Sequence, residues 1–188
     1  MYDIEKKQII ASIGNYSDED LLLLMMRFKP QIIIQNNYVY FIKPSSLSIY
    51  RFNVNDFKLE TFADIEDKEF SISKVDNAKA VINTQREKVF EYIYKNSLAD
   101  NLFHTGNGWI VKSETGEYVI NERKKEINRS SRFNKFYLWN NGRPDKVWKT
   151  TVPSYYCNYI NYKDSIFIIQ NTLDNDMIPN KLFKIIFY

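Results

Sequence analysis

Residues 31–54 read QIIIQNNYVYFIKPSSLSIYRFNV, and this stretch decides the fold class. Three short runs of β-branched and aromatic residues are separated first by Asn36-Asn37 and then by Pro44-Ser45-Ser46. Such runs favour strands, whereas Asn, Pro and Ser favour turns. The stretch therefore predicts three consecutive antiparallel strands, and with them a mainly β fold at the margin of α+β.

Similar units follow along the rest of the chain, each made of an apolar run, a short polar turn and a second apolar run. The turns are centred near residues 56, 86, 115, 143 and 176, about 30 residues apart. This spacing predicts an antiparallel meander of successive hairpins, with a small or partial propeller as the more specific form. No repeated side-chain signature accompanies the spacing, and the ordinary recurrence of turns in a β-rich chain explains it as well.

Helices are predicted near the N-terminus and, as one of two alternatives, in residues 77–98. Ser17 is a good N-cap for a helix over about residues 18–28, which Pro30 ends. In residues 77–98, Asp76-Asn77 would cap a helix with apolar residues on one face. The same residues also fit two strands around the polar turn 85–87, so both structures stay open.

The composition bounds the class of protein. The chain has 188 residues, 44% hydrophobic and 26% charged, which fits one globular domain over residues 1–188. Cys157 is the only cysteine, so an intrachain disulfide is excluded. The longest apolar run, residues 21–26, is too short to span a membrane, and residues 1–7 lack the apolar region of a signal peptide. We therefore expect a soluble protein in the reducing cytoplasm that makes no membrane contact.

Catalytic and cofactor motifs are absent from the sequence. His104, the one histidine, lies beside the turn-forming Gly106-Asn107-Gly108 and gives a hydrolase or nuclease as a third hypothesis, for which Cys157 is a conceivable partner. One His and one Cys cannot form a structural zinc site, and the acids after residue 173 lack the glycine and glutamate of a calcium loop. We expect no cofactor and no metal, and an enzyme is the less favoured class.

The most informative segment is the basic-aromatic strip, residues 123–149. Residues 121–149 carry nine basic and three acidic side chains, whereas residues 60–69 hold five acids against one lysine and are predicted to be a solvated loop. Within the strip, eight residues are the predicted binding residues: Arg123, Arg129, Arg132, Lys135, Tyr137, Trp139, Arg143 and Trp148.

Three interpretations of the strip stay open. Its basic and aromatic side chains suit nucleic acid, by phosphate attraction and base stacking, and they equally suit a protein interface. The third interpretation is two ordinary strands, with aromatic residues in the core and charged residues in water. The leading functional hypothesis is a non-enzymatic protein-binding module, specifically an immunity-type or phage-type neutraliser that covers a partner protein. A nucleic-acid-binding module that uses the strip is the alternative, and the oligomeric state is not predicted.

Overall fold

The computed structural model describes residues 2–3, 8–9, 14–25, 31–115, 119–121, 126–128, 132–153, 157–162, 165–170 and 181–186. These residues form antiparallel sheets together with three helices, so the predicted mainly β fold is confirmed. None of the helices in this part of the chain is long and apolar enough to cross a membrane.

The first sheet is the meander that residues 31–54 predict, extended by one strand. Its four strands are β3 (Ile32–Gln35), β4 (Tyr38–Ile42), β5 (Ile49–Asn53) and β6 (Leu59–Ala63), which pair in the order of the chain. Asn36 and Asn37 join β3 to β4 with φ angles of 48° and 63°. Asparagine tolerates this left-handed conformation better than most residues, and two such residues in succession suit the twist of a tight hairpin.

The second sheet also has four strands, in the order β12-β11-β8-β7. Its strands are β7 (Leu98–Thr105), β8 (Gly108–Thr115), β11 (Phe133–Asn140) and β12 (Arg143–Pro153). Gly106-Asn107 joins β7 to β8, and Asn141-Gly142, with φ angles of 50° and 79°, joins β11 to β12. A small hairpin of β9 (Val119–Asn121) and β10 (Glu126–Asn128) lies in the chain between β8 and β11.

The remaining strands form a third sheet and a short N-terminal hairpin. The third sheet pairs β13 (Cys157–Tyr162), β14 (Ser165–Gln170) and β15 (Lys181–Ile186) in chain order. The hairpin consists of β1 (Tyr2–Asp3) and β2 (Gln8–Ile9).

The three larger sheets are stacked in series, with the second sheet in the middle. Side chains alternate across a strand, so neighbouring residues of the second sheet face opposite ways. Leu102, Val111 and Tyr137 pack against the first sheet, where Trp109 lies 4.1 Å from Tyr40 between ring centroids. The other face packs around Ile166 of the third sheet, and its residues are Phe103, Ile110, Phe136 and Leu138. Both faces of the second sheet are therefore covered.

The N-terminal helix is α1 (Asp18–Leu24), which begins as the sequence predicts. The Asp20 amide donates to Ser17 Oγ at 3.2 Å, and the Ser17 amide donates to Asp20 Oδ2 at 3.0 Å, which is a complete capping box. Met25 caps the C-terminal end, and residues 26–28 of the predicted helix lie outside the described residues.

Within residues 77–98 the structure has two helices, so the helical alternative is correct and the two-strand alternative is wrong. Asn77 caps α2 (Ala78–Thr84), and α3 (Arg86–Lys95) follows after one non-helical residue, Gln85. The two helices bury Ala78, Val89 and Ile93 against Leu22 of α1, so tertiary packing favours the helix over a strand here.

Two of the predicted hairpins are wrong. The turn predicted at 85–87 lies at the junction of α2 and α3. The turn predicted near residue 115 does not join two paired strands, because β8, which ends at Thr115, pairs with β7 and β11, while β9 pairs with β10. Hairpin turns do lie near residues 56 and 143, and the turn predicted near 176 falls outside the described residues. The antiparallel meander of successive hairpins is nevertheless confirmed, since most neighbouring strands of the three larger sheets are consecutive in the chain.

Candidate functional site

The predicted binding residues of the basic-aromatic strip occupy very different environments. Arg123 and Arg129 lie outside the described residues. Arg132, Lys135 and Tyr137 are buried within the second sheet, so a partner molecule cannot reach their side chains in this structure. The three others lie nearer the surface: Trp139 and Trp148 are half-buried against the two hydrophobic clusters, and Arg143 is exposed beside the β11–β12 turn.

The acidic segment, residues 60–69, neutralises part of the strip through two acids that follow β6 in the chain. Lys135 Nζ lies 2.6 Å from Asp67 Oδ2 and 2.9 Å from Glu69 Oε2. Burial is the largest single effect and raises the pKa of Asp67, but the hydrogen bonds from Lys135, the Glu69 amide and Tyr137, together with the charge of Lys135, outweigh it and hold this pKa below its ordinary value. The prediction of a solvated loop is therefore wrong for residues 60–63, which lie in β6, and incomplete for residues 64–69, where Asp67 and Glu69 are the counter-charges of the buried Lys135.

A second buried ion network lies on the opposite face of the same sheet. Lys112 is fully buried, and its Nζ lies 2.6 Å from Asp100 Oδ2 and 3.3 Å from Glu114 Oε1. Burial and the nearby Glu114 carboxylate raise the pKa of Asp100 to about 6, against the attraction of Lys112. The pKa of Lys112 is raised because two carboxylates outweigh the cost of burying its charge. The ammonium group of Lys112 is therefore the counter-charge of both Asp100 and Glu114.

Arg132 joins this network to helix α3. Its side chain is fully buried, with Nε 3.8 Å from Glu114 Oε2. Its guanidinium donates hydrogen bonds to the backbone carbonyls of Ile93, at 3.2 Å, and Asn96. A cation is favourable at the C-terminal end of a helix, where the carbonyl groups lack partners within the helix. Arg132 therefore supports the fold, by attaching α3 to the second sheet.

His104 lies on β7, on the face that packs toward the first sheet. Its ring is half-buried, 4.5 Å from the ring of Trp109 between centroids. Cys157 begins β13, and its side chain lies outside the described residues, so the Cys157–His104 pair stays a prediction. Among the described residues, no group of three or more His, Cys, Asp or Glu side chains is placed to hold a metal ion.

The feature that the sequence analysis missed is the outer face of the first sheet, the face turned away from the second sheet. Ile33, Tyr40 and Ile42 point toward the second sheet, so alternation places Ile32 and Ile34 on the outer face. Ile32 is 58% exposed and Ile34 is 75% exposed. The residues that share this face, by strand register, are Val39, Phe41, Tyr50, Phe52 and Leu59.

A shallow apolar cavity of about 130 Å³ opens on this outer face. It is lined by Gly14, Asn15, Tyr16, Ile32, Val39, Phe41 and Lys43. Lys43 borders the cavity with its charge held in place, because its Nζ donates to the Asn15 carbonyl at 2.9 Å and lies 5.0 Å from the ring centroid of Tyr50. The outer face thus combines exposed aliphatic side chains, aromatic rings and one oriented cation.

A signal for this face was present in the sequence. Strands β3 and β4 are apolar at consecutive positions, from Ile32 to Ile34 and from Val39 to Ile42. A sheet with one face in water alternates apolar and polar residues, whereas continuous apolar runs indicate a strand covered on both faces. The pattern therefore indicates that the outer face of the first sheet, like its inner face, packs against other residues.

Comparison with known proteins shows the fold alone. No protein-family model matches the chain, and no curated protein matches it. Among solved structures, the chain resembles a member of the DUF4221 family from Bacteroides vulgatus ATCC 8482, with a TM-score of 0.58 and 10% sequence identity. The likeness covers 85% of this chain and 46% of that chain, so this chain spans less than half the length of its structural relative.

Proposed function

We propose that the protein is a non-enzymatic protein-binding module whose contact surface is the outer face of the first sheet. The observation that carries the proposal is the exposure of Ile32 and Ile34, at 58% and 75%, on a face that is apolar across all four strands. Contiguous apolar patches are rare on monomeric proteins and mark interaction sites. Within this class, a neutraliser that covers a partner protein is the specific form that we favour, on the general type of chain rather than on particular residues.

The basic-aromatic strip supports nucleic-acid binding less well than the outer face supports protein binding. Two of its cations, Arg132 and Lys135, are buried in ion networks, and Lys149 lies 3.8 Å from Glu69. Cations that pair with acids of the same chain contribute little to phosphate attraction. If nucleic acid is nevertheless the partner, binding should weaken steeply with salt and should fall when exposed Arg143 and Lys146 are changed to Ala.

The proposal is tested by affinity capture of the tagged protein from its native cell extract after nuclease treatment. The double variant Ile32→Glu, Ile34→Glu places two charges on the outer face without disturbing the core. Val147→Glu is the matched control, because Val147 is 54% exposed and lies on β12, in a different sheet. We expect the wild type and the control to retain the same stoichiometric protein, and the double variant to lose it. Equal retention by all three proteins would refute the outer face as the binding site.

A further inference from the structure

The cavity on the outer face of the first sheet has room for one side chain of a partner. Its volume is about 130 Å³. An apolar protein cavity of about 150 Å³ accepts a benzene molecule, so a leucine-sized group fits the space available here. The walls include Val39 and Phe41 of the sheet, and Tyr16 of the segment that precedes α1.

Lys43 places a positive charge without a counter-charge at the edge of this cavity. Its Nζ donates to the Asn15 carbonyl at 2.9 Å and lies 5.0 Å from the ring centroid of Tyr50. Neither the carbonyl nor the ring carries a net charge. Within the part of the chain that the structure describes, Lys43 forms no ion pair. The two groups therefore orient the ammonium without neutralising it.

The acid that acts on the cavity wall is Asp20, and it is already bonded elsewhere. Burial and the charge of Asp20 raise the pKa of Tyr16, so this acid influences the cavity electrostatically. Asp20 is buried, however, and its two oxygens accept hydrogen bonds from Ser17 and Ser45. It is therefore the counterpart of these two residues and not of Lys43.

The first sheet contributes no acid to the outer face. The strand register places eight residues on this face, and all of them are uncharged: Ile32, Ile34, Val39, Phe41, Tyr50, Phe52, Leu59 and Thr61. A purely apolar partner would take Lys43 out of water without supplying a counter-charge, and burying an unpaired charge is costly. A partner that covers this face must therefore bring an anion to Lys43.

We infer that the outer face binds a protein segment in which an apolar side chain is directly flanked by an aspartate or glutamate. The apolar side chain fills the cavity, and the neighbouring carboxylate forms an ion pair with Lys43. This inference rests on the proposed function, because it gives the chemistry of the partner for the same surface.

A protein segment fits the outer face better than a small free acid does. A small acid carries the same two groups and would fill the cavity. It would leave Ile34 and Leu59 exposed, because these residues do not line the cavity. A protein segment covers them as well, as expected for a contiguous apolar patch.

The experiment begins with a phage-displayed library of random short peptides, selected on the full chain. We expect the enriched peptides to share one leucine, isoleucine or phenylalanine with an acidic residue one or two positions away. Replacing that acid by lysine in a labelled synthetic peptide should weaken binding about tenfold in fluorescence anisotropy, because a charge-assisted hydrogen bond is lost. A selection without enriched peptides, or one whose peptides lack the acid, would overturn the inference.

Charge reversal tests whether Lys43 is the group that meets the acid. Lys43→Gln should weaken the selected peptides about tenfold, whereas Lys43→Arg, which keeps the charge, should weaken them much less. Lys43→Glu should bind the lysine-substituted peptide more tightly than the wild type does, because the ion pair is restored with reversed signs. The matched control is Lys79→Gln, which removes an exposed charge from α2 and should leave binding unchanged. Equal effects of Lys43→Gln and Lys79→Gln would contradict the role of Lys43.

Val39→Phe tests the cavity separately, because the larger ring occupies the space without changing any charge. We expect this variant to lose the selected peptides, and unimpaired binding would overturn the placement of the apolar side chain. Circular dichroism establishes that each variant is folded. If Lys43→Gln is unfolded, Lys43→Arg and the lysine-substituted peptide on the wild type decide the outcome.

The two proposals fail in distinguishable ways. If Ile32→Glu, Ile34→Glu abolishes peptide binding and partner capture while Lys43→Gln changes neither, the inferred partner chemistry falls and the outer face remains the binding surface. Peptide binding and capture that both survive the double variant would overturn both proposals.

Discussion

Replacing Lys112 by Met should strongly destabilise the protein, because it removes the charge that two mostly buried carboxylates share. Lys112 is fully buried, with Asp100 2.6 Å away and Glu114 3.3 Å away. Breaking a buried pair by removing one partner costs about 3–5 kcal/mol. Glu114 keeps the guanidinium of Arg132 at 3.8 Å, so we expect the loss at the lower end of this range, at about 3 kcal/mol at pH 7.

The destabilisation caused by Lys112→Met has an upper limit that depends on pH. A carboxyl that loses its partner can take up a proton, and at pH 7 this costs about 4 kcal/mol for a group whose ordinary pKa is 3.8. At pH 5 the same protonation costs less than about 2 kcal/mol. The destabilisation caused by Lys112→Met should therefore shrink as the pH falls from 7 to 5.

Urea denaturation of the wild type and Lys112→Met at pH 5 and 7 measures this effect. The matched control is Lys95→Met, which removes an exposed pair with Glu91 at 2.6 Å and should cost no more than about 0.5 kcal/mol. The double variant Asp100→Asn, Lys112→Met should recover most of the stability, because Glu114 then keeps Arg132 as its partner and Asp100 no longer carries a charge. A loss below about 1 kcal/mol for Lys112→Met at pH 7 would refute the argument.

Two other predictions concern a turn and the dependence of stability on pH. Gly108 has a φ of 130°, and a Cβ there would lie 2.4 Å from the Trp139 carbonyl oxygen, so Gly108→Ala should cost more than about 1 kcal/mol by thermal or urea unfolding. Gly142→Ala meets no atom within 4 Å and should cost less; equal losses would contradict the steric explanation. The pKa of Asp100 is raised from 3.8 to about 6, so its contribution to the free energy of unfolding is present at low pH and is lost as the pH rises through about 6. In urea titrations from pH 4 to 7, Asp100→Asn should remove a decline on the order of 2 kcal/mol, and an unchanged pH profile would disprove this role.

Local features of the fold could be predicted from the sequence because they depend on neighbouring residues. The turn at Asn36-Asn37 and the cap at Ser17 are examples, since the residues that decide the conformation are the residues that adopt it. Residues 77–98 satisfied both helix and strand patterns locally. Their helical structure is stabilised by packing on Leu22, which lies more than 50 residues earlier and could not be known in advance.

The environment of the basic-aromatic strip could not be predicted for a different reason. The apolar run over residues 136–139 of β11 is typical of a strand covered on both faces, but it does not show where the neighbouring cations lie. Here the second sheet is covered on both faces, so Lys135 and Arg132 are buried on opposite sides of it. Their counter-charges come from Asp67 and Glu114, on other segments of the chain. The sequence shows that a side chain is a cation, but it does not show which acidic side chain, if any, will form an ion pair with it.

The contact of Arg132 with the end of α3 has a consequence for the order of folding. The carbonyls of Ile93 and Asn96 receive their donor from a residue 39 and 36 positions later. The end of α3 therefore stays incompletely bonded until the chain has closed a loop of that size and β11 has joined β8. Because such non-local closures slow folding, the helix should begin to form early and become fixed only in the step that completes the second sheet.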